Sequence, residues 1–289
     1  MATAKVPDFF AFIEQNMEPR FIYISNGVTE LLGYRPDELV GQKFLDYCHP
    51  DQAASMHLFS VYTLVRDIFL SGFTFHIKHK NGSWVNVDAM GCCCYTKRVI
   101  RFVPVNQIKP HKKVDEWFEF SLHGDVSAKN WRQSHEMLLN GLQQRLLRNS
   151  NIPINPEPRV CFVLERGSER PAIIYASPSA EFLLGIPSTE LTGSQLATYL
   201  HPDELPTLVE KMKQVQEDVA VSTTVLHLFS PTFTWVKLDA VFWATQDSLL
   251  LIVRSYKPKV HQRPWRFLLD SGTDTTSEAE LLEFAADIE

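Results

Sequence analysis

Thiols and imidazoles are the groups with most chemistry to offer in this 289-residue sequence. Five cysteines stand at positions 48, 92, 93, 94 and 161. None forms a CxxC pair or a Cys/His pair at zinc-ligand spacing, and their number is odd. The set reads as reduced thiols of an intracellular protein, not as a disulfide frame or a metal centre. Cys92, Cys93 and Cys94 lie in a stretch with strand character. Alternation sends Cys93 to one face and its neighbours to the other, so the three cannot converge on one ion. Cysteine packs as a small hydrophobe, and core filling is preferred over redox sensing. His49 and His201 each precede Pro-Asp at a helix start. There a histidine serves as a cap or a surface group before it serves as a haem ligand. Asp88 and Asp239 recur at matched places in separate halves, which does not make a catalytic pair. No GxSxG, HExxH or P-loop occurs, and no enzyme activity is expected.

The elements that must hold these groups come in two sets. Residues 21–52 and 173–204 align without a gap at an offset of 152, and 13 of the 32 positions are identical. The shared residues include Leu31-Leu32-Gly33 with Leu183-Leu184-Gly185, and His49-Pro50-Asp51 with His201-Pro202-Asp203. Further on, Trp84-Val85 and Asp88-Ala89 match Trp235-Val236 and Asp239-Ala240 at an offset of 151. Two copies of one fold, each of about 100 residues, would show this pattern; a solenoid would not.

Each copy has a physical reading. Arg20–Ser25 is aromatic and β-branched, hence a strand. Asn26 is an expected N-cap for a short helix to Leu32, and Gly33 a left-handed stop. Pro36 opens another helical turn that Gly41 closes. Asp51 is expected to cap a helix running to about Asp67, with Pro202–Gln216 as its counterpart. Three strands follow in each copy: 72–80, 83–95 and 98–105, then 221–229, 232–244 and 248–256. Asn81-Gly82 is a strong hairpin turn. Along Trp235–Phe242 the side chains alternate, so one sheet face is the less polar.

The Leu-Leu-Gly…Glu-Leu…Gly segment, the His-Pro-Asp after it and the Asn81-Gly-Ser-Trp-Val85 hairpin together resemble the PAS domain family. The second copy departs at its hairpin, where Phe229-Ser-Pro-Thr-Phe-Thr-Trp235 lacks the usual glycine. The resemblance implies an α+β chain of two PAS folds, each a five-stranded antiparallel sheet with short helices over one face. PAS 1 spans 9–105, a linker with an amphipathic helix 106–158, PAS 2 159–256, and an extension with an acidic tail 257–289. It also implies similarity to eukaryotic PAS regulators of the white-collar, clock and basic helix-loop-helix types, without a recognisable output domain. Light-sensing members carry a cysteine in an Asn-Cys-Arg-Phe-Leu-Gln stretch. Cys48 lies near that place in 43–49 without the Asn, Arg and Gln, so flavin is not expected, and neither is haem. Walls of an apolar cavity would be Phe44, Tyr47, Phe59, Tyr62, Phe73, Phe75 and Trp84 in the first copy. In the second they would be Leu196, Tyr199, Leu208, Met212, Val225 and Trp235.

Composition bounds the partners. There are 28 bases and 34 acids, and seven of the acids lie in the last twenty residues, which hold no base. The rest is nearly neutral, with 27 acids against 28 bases, which gives little electrostatic footing for nucleic acid. No apolar run approaches the roughly 20 residues of a membrane helix. In the linker, Trp131, Leu138, Leu139, Leu142 and Leu146 follow helical spacing and form a candidate interaction stripe. In the tail, Leu281, Leu282, Phe284 and Ile288 follow the capping box Ser277-Glu-Ala-Glu280 and suit a partner groove. The expected function is a non-enzymatic signalling adaptor or transcriptional co-regulator of nucleus or cytoplasm. It would pair with a PAS-containing protein as homo- or hetero-dimer, through sheet faces and linker helix. The alternatives are a small-molecule or cofactor-binding sensor, and a DNA-binding regulator acting with a partner.

Overall fold

The computed structural model describes residues 6–16, 18–53, 56, 69–94, 97–105, 117–123, 157–218, 221–232, 234–256 and 266–270, the segments 117–123 and 266–270 by their backbone. In the first half, β1 (Phe9–Glu14), β2 (Phe21–Ile24), β3 (Leu70–Lys78), β4 (Trp84–Cys94) and β5 (Lys97–Pro104) lie in the spatial order β3-β4-β5-β1-β2, every neighbour antiparallel. Between β2 and β3 come α1 (Val28–Leu32), α2 (Pro36–Leu39) and a 3₁₀ turn at Phe44–Tyr47. A further strand, β6 (Trp117–His123), joins the free side of β3 in parallel.

The second half repeats the order. Strands β7 (Arg159–Leu164), β8 (Ile173–Ala176), β9 (Val221–Ser230), β10 (Thr234–Ala244) and β11 (Leu249–Ser255) lie as β9-β10-β11-β7-β8, again antiparallel throughout. Helices α3 (Ala180–Leu184), α4 (Ser188–Leu191) and α5 (Leu205–Asp218) intervene, with 3₁₀ turns at Leu196–Thr198 and Pro202–Glu204. A last strand, β12 (Arg266–Asp270), returns to the first half and pairs with β6 in parallel. The first sheet therefore has seven strands where five were expected, and two of them come from stretches read as linker and extension. Both additions are parallel, so no hairpin turn signal announces them.

The matched residues do matched work. Ser25 Oγ accepts from the N–H of Phe10 at 3.1 Å, and Ser177 Oγ from that of Cys161 at 3.0 Å. Each hydroxyl occupies a backbone donor near the bulge where β1 meets β2, or β7 meets β8. Gly33 and Gly185 stop α1 and α3 at φ of 76° and 70°, a region that disfavours a Cβ. Asn26, expected to cap α1, does not. The helix begins after Gly27 with no side-chain cap, and its first turn is held by backbone bonds, Val28 N–H to Ser25 and Thr29 N–H to Asn26. The cap position is instead Gly27, where a Cβ would stand 1.9 Å from the carbonyl oxygen of Asp8.

Each sheet buries its helix-side face in its own core. Phe9, Phe44, Phe75 and Phe102 dominate the first, with Phe9 and Phe102 stacked at 4.5 Å. The second is mainly aliphatic, with Leu184, Leu208, Met212, Leu228 and Leu251 around Phe162 and Phe242. A third buried cluster draws on the opposite faces of both sheets.

Gly27→Ala forces backbone against backbone. It is expected to destabilise the protein by about 1–3 kcal/mol, read as a lower Tm in calorimetry. Gly41→Asn is the control: φ there is 82° with nothing within 4 Å, and it should move Tm much less.

Candidate functional site

The outer faces of the two sheets pack on each other. Phe10, Phe12, Met90 and Val99 of the first meet Val163, Val241, Trp243 and Ile252 of the second, all buried. Strand alternation explains how one sequence serves two cores. In β10 Leu238, Ala240 and Phe242 face the helices, while Val241 and Trp243 face the other sheet. Both faces of these strands are thus apolar, which is why alternation along them is weak where the sheets meet. Fully burying each large side chain contributes about 1.5–3 kcal/mol relative to exposure.

Charges inside this contact are paired. Arg101 and Asp8, 3% and 5% exposed in their side chains, form an ion pair at 2.5 Å. The other oxygen of Asp8 accepts from the N–H of Gln246, in the turn between β10 and β11, at 2.7 Å. One carboxylate therefore holds β5 of its own sheet and a loop of the other. Burial pulls the Arg101 guanidinium below its ordinary range, and Asp8 opposes that shift. Arg159, fully buried at the start of β7, donates to the carbonyl of Cys93 at 3.2 Å. Arg254 sits 4.3 Å above the Phe69 ring and reaches Asp239 at 3.4 Å.

The thiols divide as alternation predicts. Cys92 and Cys94 face the second sheet, where Cys161 of β7 joins them. Cys93 faces the other way and receives the guanidinium of Arg98 at 3.4 Å. Burial first, and then Cys94, holds the Cys92 thiol far above its ordinary range. Cys94 is raised mainly by its hydrogen bond to Cys161. Tyr175, packed 5.4 Å from the Phe12 ring, is pushed up to about 12 by burial and by these thiols. Cys48 is buried in the first core, donates to the carbonyl of Phe44, and is raised by burial. Thiols kept protonated in this way are weak nucleophiles. Among the described residues no group of three or more His, Cys, Asp or Glu is arranged to hold a metal ion.

Beyond the contact, each outer face ends in a matching corner. His49 Nδ1 accepts from the N–H of Asp51 at 3.3 Å, and His201 Nδ1 from that of Asp203 at 3.4 Å. The histidine is the cap, a role expected of it, whereas Asp51 was expected to do the capping. Its ring packs on Trp84 at 4.7 Å, or on Trp235 at 4.8 Å, beside His76 or His227. The corners differ in polar neighbours: Gln52 accepts from the His76 N–H at 2.8 Å, Glu204 from the His227 N–H at 2.7 Å, and the cross-strand partner of the tryptophan is Lys78 in one and Phe229 in the other. Trp84 and Trp235 are 38% and 43% exposed, and Val225 is 37% exposed. They are therefore not cavity walls, as had been expected from their aromatic or apolar nature. Strand parity puts them on the outer face. Phe44, Phe75, Leu196, Leu208 and Met212 are buried core, and Tyr47 and Tyr199 line its rim. Phe59, Tyr62 and the side chain of Phe73 lie outside the described residues, as do Trp131, Leu138, Leu139, Leu142, Leu146, Leu281, Leu282, Phe284 and Ile288. The sheet-to-sheet contact itself was missed; the only signal for it was that Phe10, Phe12, Leu250 and Ile252 break alternation on strands apolar on both faces.

Residues 21–105 match a family model described as the PAS fold. A search of curated proteins finds no match. Solved structures similar to the chain include the chromophore-binding domain of Stigmatella aurantiaca bacteriophytochrome, at 17% identity and TM-score 0.30, covering 35% of this chain and 32% of that one. The photosensory core module of the same organism's phytochrome matches at 18% and 0.30, covering 35% and 20%. Drosophila melanogaster Cycle PAS-B with bound ethylene glycol matches at 17% and 0.27, covering 32% and 95%. The chain thus spans a third or less of the two phytochrome structures it matches.

Asp8→Ala removes the carboxylate shared by Arg101 and Gln246. It should cost about 3 kcal/mol in urea unfolding, far more than Asp37→Ala at the exposed pair with Arg35. A second expectation concerns pH. Burial, and then His49, hold His76 below its ordinary range, so the folded state favours the neutral ring. Its contribution is complete above the unfolded value of about 6.5 and falls as pH drops through that value. The urea midpoint should decline from pH 7.5 to pH 5, and His76→Gln should flatten the decline.

Proposed function

We propose that this chain is a non-enzymatic signalling module of two PAS domains, 9–105 and 159–256, that acts by binding a PAS-containing protein, a second copy of itself or a different chain. The observation that carries the reading is the division of each outer sheet face. One half is closed against the other sheet, and the other half presents a solvent-exposed tryptophan beside histidines. In the second half-face, Trp235 packs 5.5 Å from Phe229, and the polar pair His227 and Lys237 separates them from exposed Val225 along the same face. A flat sheet with a partly exposed aromatic anchor is the kind of surface at which a few side chains dominate binding.

The PAS fold matched over 21–105 supports a sensing or signalling role. The repeated strand order supports giving the second half the same name. The sequence expectation that sheet faces serve pairing is refined by the geometry: their inner halves are already occupied within the chain. A co-regulator role would follow from the partner, not from contacts to nucleic acid.

Native mass spectrometry and light scattering of the full chain test the reading together. Concentration-dependent dimers, or capture of a PAS protein, are expected, and Trp235→Ala should weaken association by about 2 kcal/mol. A monomer at every concentration with no PAS protein captured would overturn it. A bound small molecule in the native spectrum would favour the sensor reading instead.

A further inference from the structure

We infer that Cys94 and Cys161 are a latent disulfide pair, which an oxidant of the hydroperoxide class closes, tying the two sheets together covalently. The two residues come from different sheets and share one buried cluster. Strands β4 and β7 approach within 8 Å, Cα to Cα. Arg159, two residues before Cys161, donates to the carbonyl of Cys93, the residue before Cys94, and so pins the two strands at this point. Cys161 is the neighbour that raises the Cys94 thiol most, with Cys92 as a second neighbour.

The other thiols are poorer partners. Cys92 shares a face with Cys94 and also interacts with its thiol, but residues two apart on an extended strand have backbones about 6.6 Å apart and belong to one sheet. A disulfide needs Cβ atoms about 3.8 Å apart. Cys93 lies on the other face of β4 and receives Arg98, and Cys48 donates within the first core.

The chemistry balances with one peroxide. A thiolate sulfur attacks the O–O bond: S–O forms, O–O breaks, and the leaving oxygen departs as water with the thiol proton. The second sulfur then attacks the sulfenic sulfur: S–S forms, S–O breaks, and a second water leaves. The two thiols lose two electrons and two hydrogens, and the peroxide is reduced to two waters. In the closed contact both sulfurs are buried from solvent and the Cys94 thiol is held well above its ordinary range, so the reaction waits on separation of the sheets. Whatever loosens the contact should speed the link. The inference rests on the inter-sheet geometry and not on the partner-binding reading, so the two fail separately.

The test is hydrogen peroxide treatment of the folded full chain, followed by peptide mapping without reductant. The expected product is one cross-linked pair joining the peptides of Cys94 and Cys161, lighter by two hydrogens and undone by dithiothreitol. Cys94→Ser or Cys161→Ser should abolish it. Asp8→Asn, which weakens the clamp on the Gln246 turn, should form it about tenfold faster, the effect of losing one charged hydrogen bond. No cross-link in either the unaltered chain or Asp8→Asn, a link between Cys92 and Cys94, or sulfinic acid without a link would overturn the inference.

Discussion

The structure turns on the contact between the outer faces of its two sheets. A sheet with helices over one side still has another side, and here that side is apolar over half its length. Phe10, Met90 and Val99 could stay in water only at a large cost, as could Val241, Trp243 and Ile252. Packing them together removes the cost, but it traps polar groups as well. Asp8, Arg101, Arg159 and Arg254 are buried with them, and each is held by a bond that crosses strands or sheets. The apolar contact contributes affinity, and the charged set fixes how the sheets are aligned. A slipped arrangement would keep most of the apolar burial but would strand a carboxylate in a medium that penalises it.

The contact was not legible in the sequence, but much of the fold within each half was, because the repeat made it so. The gapless repeat over 21–52 and 173–204 places one strand and the glycine stops twice, the matches at an offset of 151 place the long hairpin, and Ser25 with Ser177 shows that shared residues hold a matched backbone donor. The division of Cys92, Cys93 and Cys94 between faces followed from strand parity alone. Three things were not legible. Asn26 has the right type for a cap, but the approach of Asp8 to Gly27 is a contact across the fold. Trp84 and Trp235 were placed by residue type instead of by parity, and parity puts them outside. Strands β6 and β12 pair in parallel at long range, and neither carries a local turn that would reveal its neighbour.

The duplicated corners show how similar halves can differ in use. Both have a histidine cap, a tryptophan and a second histidine, yet one is braced by the neutral Gln52 and the other by the acidic Glu204. The second corner therefore carries a carboxylate within 2.5 Å of an imidazole, and the first does not. A surface duplicated and then given a further carboxylate at one copy gives a binding partner a means of telling the two ends apart.

The return of β12 to the first sheet has a consequence for how the molecule is made. The seven-stranded sheet begins with Phe9 and is completed by residues 266–270. During synthesis the amino-terminal half can form its five antiparallel strands, but its outermost strand is not available until the whole carboxy-terminal half has left the ribosome. The edge of the first sheet is consequently supplied from beyond the second. Severing the chain between them would separate a sheet from its own last strand, and assembly has to finish in an order opposite to the one in which it began.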